Sequence, residues 1–164
     1  MSTTAPSDPH QDPLAALKKG LEALPSASRL DHSVTEGLYG LAYQYATQGR
    51  IEQAFDVFRL LALYAPTEVR YLRGLALTCK LLKRYEDAVG FNQFCAYLEP
   101  DQPRHALSAA ECLLLMGQEA ECRVMLEHVD EYCASHVGFD AVAERARAII
   151  SLLGSADQSN DAAA

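Results

Sequence analysis

The sequence LYGLAYQYATQGRIEQAFDVF, residues 38–58, decides the fold, because its pattern of small and apolar residues recurs along the chain. Each position of the pattern recurs after the same interval of 34 residues. At one repeated position the residues are small: Ala54, Ala88 and Cys122. At a second, two of the three are proline: Pro66, Pro100 and Ala134. At two more, two of the three are leucine: Leu38, Leu72 and Ala106, and Leu41, Leu75 and Ala109. The chain from about residue 35 to residue 134 therefore repeats one structural unit three times.

A period of about 34 residues with this placement of small residues and prolines is typical of tetratricopeptide repeats. Each repeat is a pair of antiparallel helices, and neither helix buries its apolar face without its neighbours. We therefore predict an all-α fold, in which three tetratricopeptide repeats form a short α-solenoid with a flanking helix at each end. Because the backbones approach closely where the helices cross, five positions require small residues: Ala42, Ala54, Ala76, Ala88 and Ala110.

Capping residues and helix breakers set the predicted boundaries. Ser33 is expected to cap the first repeat helix and Thr67 the first helix of the second repeat, while Gly49, Gly117 and Gly154 end helices. The predicted organisation is a disordered N-terminus at 1–11, an amphipathic helix and linker at 12–30, a repeat domain at 31–153 and a disordered tail at 154–164. Within the domain, repeats are expected at about 35–68, 69–102 and 103–136, followed by a capping helix at 137–153.

The N-terminal helix carries one apolar stripe, formed by four leucines at spacings of three, four and three residues: Leu14, Leu17, Leu21 and Leu24. A short helix does not leave such a face in water. The stripe packs either on the first repeat or on a second copy of the protein, and the sequence leaves both open. We predict dimerisation through these leucines.

Composition excludes several classes of protein. The formal net charge of −8 argues against a nucleic-acid partner, because the phosphate backbone would repel the molecule. No apolar run is long enough to cross a membrane, and the polar start MSTTAPSDPHQDP does not resemble a secretory signal. We therefore expect a cytosolic protein that does not insert into membranes. Its five cysteines form no C-x-x-C pair and are expected to be buried free thiols.

No motif for catalysis or for a cofactor is present. The chain lacks a glycine-rich phosphate loop, a G-x-S-x-G sequence and an H-E-x-x-H sequence. His128, Cys133 and His136 are close in sequence, but zinc usually needs four ligands and no fourth is evident. We predict a protein that is not an enzyme and binds no metal or cofactor.

The first helices of the repeats are expected to line a concave binding groove. The second, fifth, ninth and twelfth residues of each repeat face it, beginning with Glu36 in the first repeat. The predicted groove contains eleven further residues: Tyr39, Tyr43, Ala46, Arg70, Arg73, Leu77, Lys80, Arg104, Leu107, Glu111 and Leu114. Tyrosines at helical spacing are often core residues instead, but Tyr39 and Tyr43 lie off the packing set of their helix. The sequence leaves a groove role and a core role open for these two.

Three segments resemble the class II chaperones of bacterial type III secretion systems, of the SycD/LcrH type. They are LYGLAYQYATQGRIEQAFDVF, the glycine within YLRGLALTC, and QPRHALSAAECLLLMGQ, of which AAECLL is the most specific. The resemblance covers about residues 31–132. It implies a cytosolic protein that keeps membrane-inserting translocator proteins soluble until export, holding an extended translocator segment in the groove. It also implies dimerisation, often through the N-terminal region. Arg73 and Asn92 are more polar than this family pattern suggests. The alternative hypothesis is a generic repeat adaptor that joins two folded proteins.

Overall fold

The computed structural model describes residues 19–21, 23 and 31–161, with side chains described as far as Ser155. Its range 31–161 contains seven helices and no strand, which confirms the all-α prediction. No helix in the described part of the chain is both long and apolar enough to span a membrane. The helices are α1 His32–Thr47, α2 Ile51–Tyr64, α3 Val69–Leu81, α4 Tyr85–Leu98, α5 Arg104–Leu115, α6 Glu119–Ser135 and α7 Asp140–Asp161.

Each helix packs against the next one along the chain, and the short connections make consecutive helices antiparallel. The pairs α1–α2, α3–α4 and α5–α6 are the three predicted repeats, and α7 stacks on the third pair. Gly49 and Gly117 follow the first helices of pairs one and three with φ of 75° and 73°, as predicted. In the second pair, Lys83 occupies the matching position with φ of 60°, although this left-handed conformation favours glycine.

Two predicted helix caps are corrected. The residue that precedes α1 is Asp31, and Ser33 lies inside the helix with its hydroxyl donating to Asp31 Oδ2 at 2.8 Å. The residue that precedes α3 is Glu68, not Thr67, and the Glu68 side chain accepts a hydrogen bond from the backbone N–H of Arg70. At α3 the Glu68 carboxylate accepts from both the backbone N–H and the side-chain Nε of Arg70, at 3.4 and 3.3 Å.

Small residues occupy the helix crossings. The five alanines required by the repeat pattern are all exposed by 4% or less. All five cysteines are free and buried, as predicted. Burial raises the pKa of the Cys79 thiol to about 11 and that of the Cys95 thiol to about 12, because the thiolate would lose its hydration. These cysteines therefore serve as small apolar core residues.

Gly74 allows the first two pairs to approach closely. A Cβ atom at this position would lie 2.6 Å from Cζ of Phe58, and closer still to Cδ1 and Cε1 of the same ring. The Phe58 side chain is 1% exposed and packs in one apolar cluster with Leu61, Tyr71 and Leu75. Only a residue without a side chain fits beneath this ring.

The flanking helices predicted at the two ends of the chain have different outcomes. The last helix continues past Gly154 to Asp161, which corrects the helix end predicted at Gly154. Gly154 lies within the helix without a left-handed conformation, so nothing there stops the helix. Residues 19–21 are helical and Leu21 is half-buried, whereas Leu14, Leu17 and Leu24 lie outside the described residues. Dimerisation through the stripe stays a prediction.

Candidate functional site

A cavity of about 340 Å³ opens between the first helices of the three pairs. We call it the central cavity. Six residues of the predicted groove line it together: Tyr43, Arg73, Leu77, Lys80, Arg104 and Glu111. Ala76, Asn92, His105 and Ser108 complete its lining. The structure thus brings together one predicted residue of α1, three of α3 and two of α5.

An aromatic cluster forms the α1 side of the site. The ring centroid of Tyr39 lies 4.9 Å from that of Tyr43, 6.0 Å from that of Phe58 and 5.8 Å from that of Tyr71. Burial raises the pKa of Tyr39 to about 12, and a hydrogen bond with Tyr43 acts in the same direction. Tyr39 is half-buried and supports the core, whereas Tyr43 is 44% exposed and faces the cavity. The two tyrosines therefore differ in their surroundings.

Arg70 closes the outer edge of this cluster. Its guanidinium lies 5.0 Å from the ring centroid of Tyr39, and Nη2 is 2.8 Å from Glu36 Oε1. The hydrogen bond with Arg70 lowers the pKa of the Glu36 carboxyl. Arg70 also pairs with Glu68, so its positive charge is already balanced. Arg70 links α1 to α3, and its two ion pairs make it a weak binding group for an acidic ligand.

Two buried polar residues form the inner wall of the central cavity. Asn92, on α4, donates from Nδ2 to the carbonyl oxygen of Ala88 at 2.9 Å. His105 is 2% exposed, and its Nε2 lies 2.9 Å from Glu99 Oε2. Burial lowers the pKa of His105 below its usual value, because desolvation outweighs the opposing hydrogen bond with Glu99. A neutral imidazole that donates to Glu99 through Nε2–H is therefore the form present near pH 7.

An ion-pair cluster links three helices at the end of the central cavity nearest α7. Glu111 receives Lys80 at 2.6 Å through Oε2 and Arg145 at 3.1 Å through Oε1. Beyond this cluster lies a second cavity of about 370 Å³, which we call the terminal cavity. Its lining shares Lys80 and Glu111 with the central cavity and adds mainly apolar residues: Leu114, Leu115, Arg145, Ala148, Ile149 and Leu152. The two cavities are adjacent and share Lys80 and Glu111 in their walls, and we call the two together the groove.

The remaining predicted groove residues lie apart from the open surface. Leu107 is 9% exposed and belongs to the core around Leu126. Ala46 is partly buried against the core of the first two pairs. Near Leu107, the smaller Ser108 lines the cavity instead. The position rule thus selects residues of α3 and α5 that share one surface in the structure, but it does not separate groove from core at Leu107.

Sequence reasoning missed the contribution of α7. Arg145 and Ala148 follow Glu111 and Leu114 by one further step of the repeat period, so α7 occupies the place of a first helix in a fourth repeat. Extending the period by one copy would have found both residues. Asn92 gave no such signal, because it lies on a second helix, where the position rule does not apply.

The features described so far define a class: a tetratricopeptide-repeat protein with a binding groove between the first helices of its repeats. A tetratricopeptide-repeat family model matches residues 35–67 and 71–101. The chaperone protein SicA of Salmonella typhimurium is 31% identical over 102 residues, which are 62% of this chain and 62% of SicA. The match thus spans less than two thirds of that relative's length.

Two further comparisons extend over more of the chain. The low calcium response locus protein H of Yersinia pestis is 25% identical over 147 residues, covering 90% of this chain and 88% of its own. The Yersinia enterocolitica type III secretion chaperone SycD, solved with a peptide of the translocator YopD, has a TM-score of 0.70 at 26% identity, covering 77% of this chain and 97% of SycD. SycD has also been solved as an alternative dimer. In sequence and fold the chain is thus similar to the tetratricopeptide-repeat secretion chaperones of the SycD, LcrH, PcrH and SicA type.

Proposed function

We propose that this protein is a chaperone of a bacterial type III secretion system. It binds an extended segment of a hydrophobic, pore-forming translocator protein in the groove and keeps that client soluble and competent for export. Binding of the client takes place in the bacterial cytoplasm and requires neither a cofactor nor a catalytic step. The observation that supports the proposal most directly is the groove formed by the adjacent central and terminal cavities, with apolar surface exposed in each. The YopD peptide bound to SycD supports it, because this chain is similar to SycD in sequence and fold.

The lining of the groove suits an extended polypeptide better than a compact ligand. Tyr43 and Leu77 expose apolar surface in the central cavity, with exposed fractions of 44% and 47%. Leu115 and Leu152 expose more at the terminal cavity. An extended chain presents alternate side chains to one face, so it reaches several such sites at once. Burying one apolar side chain contributes on the order of 1.5–3 kcal/mol.

The charge of the protein fits the same role. A pore-forming client carries apolar segments that aggregate in water, and a partner with a net charge of −8 lowers this tendency by electrostatic repulsion between complexes. Binding without nucleotide leaves removal of the client to the export machinery. We further propose that the protein forms a homodimer through the leucines of its N-terminal helix. The alternative dimer of SycD supports self-association in this family.

Co-expression with candidate translocators tests the proposed function directly. Each candidate is expressed alone and with this protein, and its soluble fraction and co-purification are measured. A chaperone makes one or more translocators soluble and co-purifies with them. A generic adaptor that joins folded proteins leaves translocator solubility unchanged, and that result would favour the alternative.

A matched pair of leucine variants then locates the client site. Leu77→Ala removes exposed apolar surface inside the central cavity, whereas Leu63→Ala removes it from α2, at a residue that is 62% exposed. We expect Leu77→Ala, combined with Tyr43→Ala, to weaken client binding about tenfold or more, since about 1.4 kcal/mol corresponds to a factor of ten. Leu63→Ala should bind as the unmodified protein does. Equal binding by all variants would place the client elsewhere.

A further inference from the structure

The central cavity is positively charged within a strongly acidic protein. Its charged lining consists of Arg73, Lys80 and Arg104 against the single carboxylate of Glu111. His105 adds no charge near neutral pH, because burial lowers its pKa. This cavity therefore carries an excess of positive charge, although the whole chain has a net charge of −8.

Two of these three cations have no acidic partner among the residues that the structure describes. Glu111 is already shared by Lys80 and Arg145, which leaves it no unpaired negative charge to offer. Arg104 donates from Nε and Nη2 to the side-chain oxygen of Gln102, a neutral acceptor, at 3.1 and 2.6 Å. Within the part of the chain that the structure describes, no carboxylate lies within ion-pair distance of Arg73 or Arg104.

We propose that the central cavity recognises an acidic side chain of the client segment, held between Arg73 and Arg104. This inference rests on the proposed function and names the specificity of the same groove. A volume of about 340 Å³ admits a leucine as readily as a glutamate, so size does not select the occupant. Charge selects the occupant instead, because a guanidinium binds a carboxylate through two parallel N–H···O bonds.

The inner wall of the cavity favours the same occupant. Asn92 and Ser108 provide an amide and a hydroxyl, whereas the Nε2–H of the neutral His105 is already directed to Glu99. An apolar side chain at this position would cover these polar groups and leave them without water, at a cost in free energy. An acidic side chain offers them acceptor atoms instead.

The carboxylate belongs to a side chain and not to the end of the client. Apolar surface lies on both sides of the central cavity, at the aromatic cluster of Tyr39 and Tyr43 and at the terminal cavity with Leu115 and Leu152. A client that ended at the centre would leave one of these apolar surfaces uncovered. A client that passes through the centre covers both.

An immobilised peptide array tests this specificity without knowledge of the natural client. Each nonapeptide is acetylated at the N-terminus and amidated at the C-terminus. Leucine stands at positions one, three, seven and nine, serine at the even positions, and each amino acid in turn at position five. This alternation puts the leucines and position five on one face of an extended chain. Binding of the fluorescently labelled full-length protein is measured as a function of its concentration.

We expect aspartate or glutamate at position five to bind about tenfold more tightly than leucine or glutamine, the scale of one charged hydrogen-bonded pair. Arg73→Gln with Arg104→Gln should remove this preference while leucine-dependent binding remains. Arg59→Gln is the matched control, because Arg59 lies on α2, pairs with Asp56 and is largely exposed. Arg73→Glu with Arg104→Glu should shift the preference from glutamate to lysine, because three carboxylates then face Lys80 alone, and a merely misfolded variant would not show this shift.

The outcomes separate the two proposals. A preference for leucine at position five, or an unchanged acidic preference in the double arginine variant, overturns the inference and leaves the chaperone function intact. Tighter binding of a second set of peptides, ending in a free carboxylate after position five, assigns the site to a chain terminus and also overturns it. Failure to bind any peptide contradicts both the inference and an extended client in this groove.

Discussion

Replacing Gly74 with alanine tests whether the close approach of the first two helix pairs is required for stability. The added Cβ would lie 2.6 Å from Cζ of Phe58 and closer to two other ring carbons, far inside normal contact distance. The ring has little room to move, because it is 1% exposed and packs edge-on against Tyr39 and Tyr43 at 6.0 and 5.8 Å between centroids.

Two effects of opposite sign determine how much Gly74→Ala changes the free energy of unfolding. An extra methyl group in a tightly packed core costs about 1–3 kcal/mol. Alanine in place of glycine inside a helix contributes about 1 kcal/mol of stabilisation. Because the clash at Gly74 involves three carbons of a buried ring, we expect the packing cost to lie near its upper end. The free energy of unfolding should therefore fall by about 1–2 kcal/mol.

Gly40→Ala is the matched control. Gly40 also lies inside a helix, and a Cβ there would meet no other atom within 4 Å. The same substitution should therefore stabilise the protein by about 0.5–1 kcal/mol. Urea unfolding followed by circular dichroism measures both variants. If Gly74→Ala is as stable as the unmodified protein or more stable, Phe58 has room to shift and the close approach is not required.

Two further predictions concern the turn at Lys83 and the buried thiols. Lys83→Gly should stabilise the protein by about 0.5–1 kcal/mol, because glycine adopts the φ of 60° without strain; a lower midpoint in urea would refute this. The thiols of Cys79 and Cys95 ionise near pH 9 when unfolded, but their pKa values are about 11 and 12 in the folded protein. Between about pH 9 and 11 the unfolded state therefore loses protons that the folded state retains, and stability should fall as the pH rises. Substituting alanine for both cysteines should flatten this dependence, and an unchanged slope would contradict the assignment.

The repeat period predicted the fold because it constrains packing directly. Only small residues fit where helices cross, and the buried alanines and cysteines show this constraint in each repeat. The helix caps were harder to predict. Ser33 and Asp31 are both good capping residues, so residue type alone does not decide between them. Lys83 carries no local signal at all, since only its register with Gly49 and Gly117 reveals a left-handed residue.

The groove was predicted less completely than the fold. The position rule treats every first helix alike, but the depth of a position depends on the side chains beside it. At the fifth position of successive repeats, Tyr39 is half-buried, Arg73 is exposed and Leu107 is buried. A tyrosine or an arginine can reach the surface with its polar end, whereas a leucine in the same place gains by turning into the core. The residue type, not the position alone, decides which side chain lines the groove.

The groove and the core depend on the same contacts, and this limits how the site can vary. Phe58 closes the core above Gly74, and its ring also supports Tyr43 at the cavity wall. At the other end, Glu111 joins α3 to α7 through Lys80 and Arg145, and this ion-pair cluster lies between the two cavities. Changes at these contacts alter both stability and binding. Arg73 and Arg104 are different, because neither holds two helices together by an ion pair within the described residues. The proposed recognition of the client by these two arginines can therefore change without the loss of an ion pair between helices.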